Sequence, residues 1–431
     1  MPLMDRIRDN IAVIGIMGLG YVGLPLAIAF AREGYSIEGF DTDASKVTGL
    51  RRGHTMVEDV DPTELRELLE RGKLNFQFKL PDTWEVDVVI ICVPTPITED
   101  KKPDLSCIRK AVESLSFHLK PDKEVLIVLE SSTYPGTTRE ILASALNWKG
   151  CHIAYSPERI DPGNKKFNIR NTPKLVGGID SGSTQMAALL YSQVVDKVIP
   201  VSSPEVAEMA KLFENVFRNV NIALVNEMAL ICEWIEVSVW EMIDAAATKP
   251  FGFMPFYPGV GVGGECVPVD PYYVVDIANE YGCRAILTEI ALSVNEKQTN
   301  RVKHWIIDTL IRENITVKGA KVMVLGISFK RDVGDIRESP SLELLRLLHY
   351  SGMVVSYNDP YVTNVEALKS SSLDEIDKVD CVVIATDHSC YDYKWVVDKA
   401  KMVFDTRNAT KGIVSNKICR LGERRTERRT E

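Results

Sequence analysis

Residues 10–41 read NIAVIGIMGLGYVGLPLAIAFAREGYSIEGFD, and their order decides the fold. Asn10–Met17 is a continuous apolar, β-branched run, the pattern of a strand buried on both faces of a parallel sheet. Gly18-Leu19-Gly20-Tyr21-Val22-Gly23 follows as GxGxxG, then a helical stretch LPLAIAFARE ending at Gly34, then a second strand, Tyr35–Phe40, that stops on Asp41. The glycines alone are a weak signal. Strand, glycines, helix, strand and terminal acid in that order form a dinucleotide-binding fingerprint. Gly18, Gly20 and Gly23 permit the tight turn, and with Tyr21 and Val22 they bring backbone N–H groups and a helix N-terminus to a pyrophosphate. Asp41 is expected to accept hydrogen bonds from the adenosine ribose. With Asp43 nearby and no arginine directly after it, a 2′-phosphate is repelled, so NAD is expected rather than NADP.

More strands follow at the spacing of a doubly wound sheet. Val86–Val93 ends in Pro94-Thr95-Pro96, Glu124–Leu129 runs into Glu130-Ser131-Ser132-Thr133-Tyr134-Pro135-Gly136-Thr137-Thr138, and Cys151–Tyr155 into Ser156-Pro157-Glu158-Arg159. Pro, Ser, Thr and Gly are ordinary turn residues. Their place at strand ends, where ligands of open α/β sheets lie, makes Thr95, Ser132 and Glu158 candidates. Thr95, Ser132 and Lys46 complete the expected cofactor contacts, and Glu158 is a candidate acid/base.

Ser203-Pro204-Glu205 reads as N-cap, first-turn proline and acidic first turn of a long helix reaching about Glu236. Val206, Met209, Ala210, Phe213, Val216, Phe217 and Val220 recur at three- and four-residue spacing as an apolar stripe. Lys211 and Asn215, four apart, share a face. A second helical segment has Arg284 to about Glu313 as its main part. From Lys318 the chain starts again. Lys321–Leu325, a turn at Gly326-Ile327-Ser328-Phe329-Lys330, a helix from Ser339-Pro340 to about Tyr350, and Met353–Tyr357 ending in Asn358-Asp359 echo the N-terminal half without a GxGxxG; Asp380–Ala385 and Lys401–Phe404 add two strands. Lys330 and Arg407, just after strand ends, offer positive charge to a nucleotide diphosphate. The fold class is therefore α/β, two Rossmann-like doubly wound parallel-sheet domains joined by a helical middle domain. The expected domains are 1–202 (NAD-binding), 203–315 (helical connector and dimer surface), 316–420 (nucleotide-binding) and a disordered charged tail, 421–431.

Composition agrees. A chain of 431 residues is too long for one core. The formal net charge of -9 argues against a nucleic-acid or anionic-membrane surface, so a phosphate-bearing ligand must be held by local devices. The nine cysteines are scattered without CxxC spacing, so neither a disulfide framework nor a metal site is implied, and a reducing cytoplasm is expected. No apolar run reaches the ~18 residues needed to cross a bilayer.

The last stretch is Phe256–Tyr273, FYPGVGVGGECVPVDPYY. Gly263 and Gly264 let backbone approach a ligand, Cys266 follows, and Asp270 lies four residues on. Buried cysteine is common packing material, but a neighbouring NAD domain gives this thiol a reaction. A thiolate adds to an aldehyde, the thiohemiacetal loses a second hydride to give a thioester, and water releases the acid. Such chemistry needs a base, a group to place water and donors for an oxyanion. Glu158, Ser132 with Asp270, and Lys211 with Asn215 match those needs.

The sequence resembles the UDP-glucose/GDP-mannose dehydrogenase family over about residues 10–410, through GLGYVGLPLA, VPTP, PGTT, SPER, AKLFEN, GGxCxPxD, GxSFK with DxRESPS, and a late DTR. The resemblance implies two successive NAD-dependent oxidations of a nucleotide-sugar C6 hydroxyl, with Cys266 as covalent nucleophile and Glu158 as base for thioester hydrolysis. It implies Lys211 and Asn215 as oxyanion donors, Asp270 with Ser132 placing water, and Lys330 and Arg407 holding the nucleotide. Arg159, Phe256, Tyr257 and Gly263 are the further expected substrate contacts, and a homodimer or higher oligomer built on the middle domain is implied. YPGTT, SPERIDPGNKKF, AAATKPFGF and ATDHSCYDY look most like the branch oxidising UDP-N-acetylglucosamine; UDP-N-acetylmannosamine and UDP-glucose stay open.

Three positions depart from the pattern. Glu265 stands where this branch often has histidine, and a carboxylate beside a thiol tends to lower its thiolate fraction. Ser132 replaces a threonine. Gly15-Ile16-Met17 lengthen the first strand and are expected to displace the glycine turn. Two other readings compete: a two-electron hydroxyacid or sugar-alcohol dehydrogenase in which Cys266 is inert, and a non-catalytic NAD/nucleotide-sugar sensor, for which Glu265 would be the sign.

Overall fold

The computed structural model describes residues 1–423 apart from Met56, Glu58, Asp122, Pro162, Lys165, Glu366 and Ala367; residues 424–431 of the expected tail lie outside the described residues. The chain forms two compact units, Met1–Glu214 with Tyr272–Glu280, and Asn215–Pro271 with Tyr281–Glu431.

The first unit contains α1 (Leu3–Arg8), β1 (Val13–Met17), α2 (Gly23–Arg32), β2 (Ser36–Phe40), α3 (Ala44–Arg51), α4 (Pro62–Glu70), β3 (Leu74–Gln77), β4 (Val88–Ile91), α5 (Ser106–His118), β5 (Val125–Leu129), β6 (Cys151–Tyr155), β7 (Lys174–Gly178), α6 (Ser181–Tyr191) and β8 (Val198–Pro200). Its eight strands lie in the order β3-β2-β1-β4-β5-β6-β7-β8. All neighbours are parallel except β6 and β7, which run antiparallel. β4 and β5 are buried throughout, as their unbroken apolar runs require.

The order reverses between β1 and β4, and the glycine turn sits at that switch point. The Gly18 N–H donates to Phe40 O at 2.8 Å. Its φ is +95°, and a Cβ there would lie 2.4 Å from the Cys92 carbonyl oxygen, so only glycine fits. The expected displacement of the turn does not occur. Gly15, Ile16 and Met17 pair in register with Glu38, Gly39 and Phe40 on one side and Val89, Ile90 and Ile91 on the other. The extra length is absorbed as ladder.

Four helices follow: α7 (Pro204–Trp234), α8 (Val239–Ala247), α9 (Asp270–Glu280) and α10 (Ile286–Arg312). The division into units falls inside α7 and α9. The Ser203 hydroxyl caps α7 by accepting from the Val206 N–H at 3.4 Å. The apolar stripe of α7 faces outward in this chain: Val206, Met209, Phe213 and Phe217 are all exposed, while Glu208, Asn215, Asn219 and Asn226 are buried. Ala207, Leu212, Ala223 and Ala229 are buried beside those polar residues, so the inner face of α7 mixes small apolar side chains with polar ones.

The second unit continues with β9 (Lys321–Leu325), α11 (Pro340–Tyr350), β10 (Val354–Asn358), the small β11 (Asn364–Val365) and β12 (Leu368–Lys369) pair, β13 (Cys381–Ile384), α12 (Tyr393–Lys399), β14 (Val403–Asp405) and β15 (Ile418–Arg420). The five-stranded sheet, β10-β9-β13-β14-β15, is wholly parallel. Val302, Trp305, Ile306 and Leu310 of α10 join its core, with Trp305 edge-on to Phe404 at 5.2 Å. The expected echo of the N-terminal half is geometric. Gly326 has φ +77°, a Cβ there would meet Thr386 O at 2.4 Å, and its N–H donates to Asn358 O at 2.9 Å.

Candidate active site

At the N-terminal glycine turn a Cβ on Gly23 would lie 1.9 Å from Gly18 O, whereas one on Gly20 would meet nothing within 4 Å. Protein packing therefore demands Gly18 and Gly23 but leaves open space over Gly20, as a ligand approaching this backbone needs. α2 begins without a side-chain cap, so its first amides are not taken by one. Tyr21 is exposed beside them. Asp41 accepts from the Leu19 N–H at 2.9 Å, the Asp43 N–H at 2.9 Å and Lys46 Nζ at 2.7 Å. Burial works to raise its pKa, but Lys46 and the two N–H groups outweigh it and hold the carboxyl below its ordinary range. Lys46 thus acts through Asp41. Thr95 accepts at its carbonyl from the Tyr273 hydroxyl at 2.9 Å.

Ser132 is half-buried just beyond β5. The turn after it is held by Glu208, a fully buried carboxylate on α7. Glu208 accepts from the Gly136 N–H at 2.7 Å, the Thr138 N–H at 2.9 Å and the Thr138 hydroxyl at 2.7 Å. Beyond β6, Glu158 Oε1 accepts from the N–H groups of Arg159 at 2.7 Å and Ile160 at 2.6 Å. Burial pushes its pKa up, yet Lys174, those N–H groups and Lys211 bring it below the usual carboxylate range. Glu158 is therefore ionised at neutral pH, as a base must be. The Arg159 guanidinium is already engaged, with Glu214 at 2.7 Å and Pro173 O at 2.7 Å.

In the second unit, Cys266 is exposed, and its carbonyl accepts the Asp270 N–H at 2.8 Å. Asp270 is buried and takes the Asn215 amide on Oδ2 at 2.5 Å. Asn219, one turn on, donates to Val267 O at 3.1 Å. The strand of loop leading to the cysteine is clamped by amides as well. Asn226 Oδ1 accepts the Gly259 N–H at 3.2 Å, Gln298 Nε2 donates to Gly259 O at 2.8 Å, and Asn295 links Asn226 to Asn219 O. All of these side chains are buried, so each bond is strengthened by its surroundings and costly to lose. Phe256 packs edge-on to Phe217 at 5.8 Å, and Tyr257 stacks on Trp240 at 6.0 Å.

The glycines of this loop have a reason beyond ligand access. A Cβ on Gly263 would lie 2.6 Å from Phe329 Cβ and 2.8 Å from Glu338 O, one on Gly261 2.8 Å from Pro340 Cβ, and one on Gly259 2.6 Å from Arg407 Nη1. The Cys266 loop thus runs backbone-first along the SFK, RESP and DTR segments. Glu265, expected to burden the thiol, is paired with Arg337 Nη1 at 2.5 Å. Arg337 also forks onto Asp335, through Nε at 3.0 Å and Nη2 at 2.5 Å. Arg407 Nε reaches Asp387 at 3.3 Å, and Lys330 is half-buried in the same unit. Among the described residues no group of three His, Cys, Asp or Glu is arranged to hold a metal ion, and no helix is long and apolar enough to cross a membrane.

Three family models cover this chain. They are the NAD binding domain of the UDP-glucose/GDP-mannose dehydrogenase family at residues 12–195, its central domain at 205–297 and its UDP binding domain at 323–412. The chain belongs to the UDP-glucose/GDP-mannose dehydrogenase family. It is 34% identical to a UDP-N-acetyl-D-mannosamine dehydrogenase of Pyrococcus horikoshii, over 92% of this chain and 96% of that one. It is equally 34% identical to a UDP-N-acetyl-D-glucosamine 6-dehydrogenase of Pseudomonas aeruginosa, over 87% and 90%. Among solved structures it matches the UDP-D-ManNAc dehydrogenase of Pyrococcus horikoshii with a TM-score of 0.86 at 32% identity, covering 95% of this chain and 99% of that one.

This member of the family is an NAD-dependent UDP-sugar dehydrogenase, and the turn at Gly18–Gly23 with Asp41 fits the cofactor. Reading the sequence missed Glu208, Lys174, Asn219, Asn226, Asn295, Gln298 and Arg337. A signal existed for part of this set: Glu208, Lys211, Asn215, Asn219 and Asn226 are spaced three, four, four and seven residues apart, a polar stripe along one face of α7.

Proposed function

We propose that this dehydrogenase oxidises the C6 hydroxyl of UDP-N-acetylglucosamine to the carboxylate, by way of a thiohemiacetal and a thioester on Cys266. The observation that carries the reading is Cys266 standing exposed at the end of a loop held by buried amides, its carbonyl accepting the N–H of Asp270, whose carboxylate takes the Asn215 amide. Such a loop presents a nucleophile in a fixed place. NAD, when bound, accepts a hydride in each of the two oxidations.

The chain's own groups do the rest. Cys266 adds through sulfur to the C6 aldehyde. Lys211 and Asn215 donate to the tetrahedral oxyanion. Glu158 takes a proton from the water that attacks the thioester, Asp270 and Ser132 place that water, and the thiol of Cys266 leaves as the acid is released. Lys330 and Arg407 hold the diphosphate, and Arg159, Phe256, Tyr257 and Gly263 shape the sugar pocket. We assign residues 1–202 to cofactor binding, 203–315 to the connector and 316–420 to the UDP moiety, in a reducing cytoplasm. The exposed stripe of Val206, Met209, Phe213 and Phe217 supports a homodimer or higher oligomer, because a row of bare aromatic and aliphatic side chains on one helix face favours burial against a second copy.

The test is stoichiometry with each sugar offered separately. Two NADH per UDP-N-acetylglucosamine support the proposal, one NADH supports a two-electron enzyme, and binding without turnover supports a sensor. UDP-N-acetylmannosamine is the second reading, favoured by relatives of the same identity that carry its name. A higher kcat/KM with that sugar would replace the first. Cys266→Ser is expected to bind substrate but not complete the second oxidation; full conversion to the uronic acid by this variant overturns the covalent route.

A further inference from the structure

Beneath the SPER turn lies a buried set of charges. Lys174 opens β7, and because β7 runs antiparallel to β6 its side chain reaches back under residues 157–158. Nζ lies 2.9 Å from Glu130 Oε2, 3.4 Å from Pro157 O and 3.4 Å from Glu158 Oε2. It also sits over the Tyr191 ring, 4.9 Å from its centroid. The Tyr191 hydroxyl donates to the other oxygen of Glu130. Lys174 is 6% and Glu130 2% exposed. Only Glu158 opens outward, with 17% of its side chain exposed.

A buried ammonium is costly unless paired, and this one has two carboxylates on it. Glu130, pinned by Tyr191, anchors the ammonium from one side, leaving its remaining donors aimed at the turn that carries Glu158. We propose that Lys174 is a positioning residue for Glu158: held by Glu130, its ammonium fixes the outer carboxylate and sustains it as the base of thioester hydrolysis. This rests on the assignment of Glu158 as that base.

The other titratable groups facing the pair are Cys92 beyond β4, Tyr191 on α6 and Lys211 on α7. Burial pushes the Cys92 thiol and the Tyr191 hydroxyl well up, so both are neutral, which leaves Glu130, Lys174 and Lys211 to set the local charge. Burial lifts Glu130, and for Lys174 the two carboxylates outweigh burial and keep it protonated. Without Lys174, Glu158 would lose the ammonium that contacts it and keep only Lys211, a change that moves a carboxylate up by about one to three units.

The experiment follows the pH dependence of acyl-enzyme hydrolysis in the full-length protein, by quench and intact mass, with UDP-N-acetylglucosamine and NAD. Lys174→Met is expected to move the acid limb up by about one to three pH units, with the rate recovering on the alkaline plateau and KM for both substrates unchanged. Lys174→Arg keeps the limb near its original place. Glu130→Gln is expected to move it down, since the lysine then acts on Glu158 alone; this arm also tests the proposal should Lys174→Met not fold. A loss that is uniform across pH, or a shift of the same sign in both variants, reduces Lys174 to a structural role and overturns the proposal. Glu158→Gln separates the two claims: if hydrolysis survives it, Glu158 is not the base. Infrared difference spectra then decide the Lys174 claim alone. A protonated-carboxyl band that appears at higher pH in Lys174→Met than in wild type, and disappears in Lys174→Met/Glu158→Gln, supports it; a band that titrates at the same pH in both overturns it.

Discussion

Arg337 holds the carboxylate of Glu265 in an ion pair 2.5 Å long, one residue before Cys266. The charge that looks out of place beside a nucleophile is therefore compensated within the same unit, and the Arg337 carbonyl ties the loop further by accepting the Gly264 N–H at 3.1 Å. Glu265 is 60% exposed, so the pair is a modest one, worth at most about 1 kcal/mol or roughly fivefold. Arg337→Met is expected to slow alkylation of Cys266 by iodoacetamide at neutral pH by roughly two- to fivefold, and Glu265→Gln in that background to restore it. Equal rates in Arg337→Met and wild type would show that the carboxylate does not reach the thiol.

Gly263→Ala tests the close packing of the same loop. A methyl group there would lie 2.6 Å from Phe329 Cβ and 2.8 Å from Glu338 O and Pro340 Cδ. The backbone oxygen and the proline ring cannot swing away, so the loop must move. Overpacking of this kind costs about 1–3 kcal/mol, and a displacement near 1 Å at a nucleophile costs on the order of 10²-fold in rate. A drop in kcat of about that size, with NAD affinity unchanged, is expected. A variant with wild-type kcat would mean that the position of Cys266 does not depend on this contact.

The fingerprint at residues 10–41 was legible because each part has one structural meaning, and β1, β2 and Asp41 fall where the pattern places them. β6 and β9 match their expected bounds, being short apolar runs between turns. Lys174–Gly178 was not legible as a strand. It opens with a lysine and closes with two glycines, whose bare backbones are needed because Cβ atoms on Gly177 and Gly178 would collide with Ser203 O and Thr184 N. Leu74–Gln77 has only four residues, too few to show alternation. The residues assigned chemistry were legible as motifs; those that hold them, Glu208, Lys174 and the amides of α7 and α10, look in sequence like solvated polar residues. Their role depends on burial, which a helix pattern discloses only when the large apolar side chains mark the inner face, and on α7 Val206, Met209, Phe213 and Phe217 are exposed.

Asp41 and Lys46 are expected to set the cofactor preference together. The carboxylate expected to repel a 2′-phosphate also holds the Lys46 ammonium at 2.7 Å. Asp41→Asn removes the repulsion and releases the lysine beside the ribose position. The ratio of kcat/KM for NAD over NADP is expected to fall by about 10- to 100-fold, mostly through a higher KM for NAD. The double variant Asp41→Asn/Lys46→Met should recover part of that ratio by taking the positive charge away. An unchanged ratio in Asp41→Asn would place the discrimination elsewhere.

In the C-terminal half the matching acid is Asp359, and its role differs because it is 1% exposed. Its two oxygens accept from the N–H groups of Ile327 at 2.7 Å, Ser328 at 3.2 Å, Tyr361 at 2.9 Å and Val362 at 3.1 Å, and Oδ2 lies 3.1 Å from His388 Nε2. Burial alone would raise its pKa, but His388 and the N–H groups hold it below the ordinary carboxylate range. A carboxyl whose pKa is lower folded than unfolded stabilises the fold above its unfolded value, near 3.9, and loses that contribution as pH falls through the folded value. Asp359→Asn is expected to cost about 2–4 kcal/mol at neutral pH, because an amide satisfies only part of this donor set. In urea titrations the gap between variant and wild type should stay constant down to about pH 4.5 and close progressively below about pH 4 as the native carboxyl protonates. A gap that persists unchanged into that range would assign the stabilisation to shape and packing around residue 359 and not to its charge.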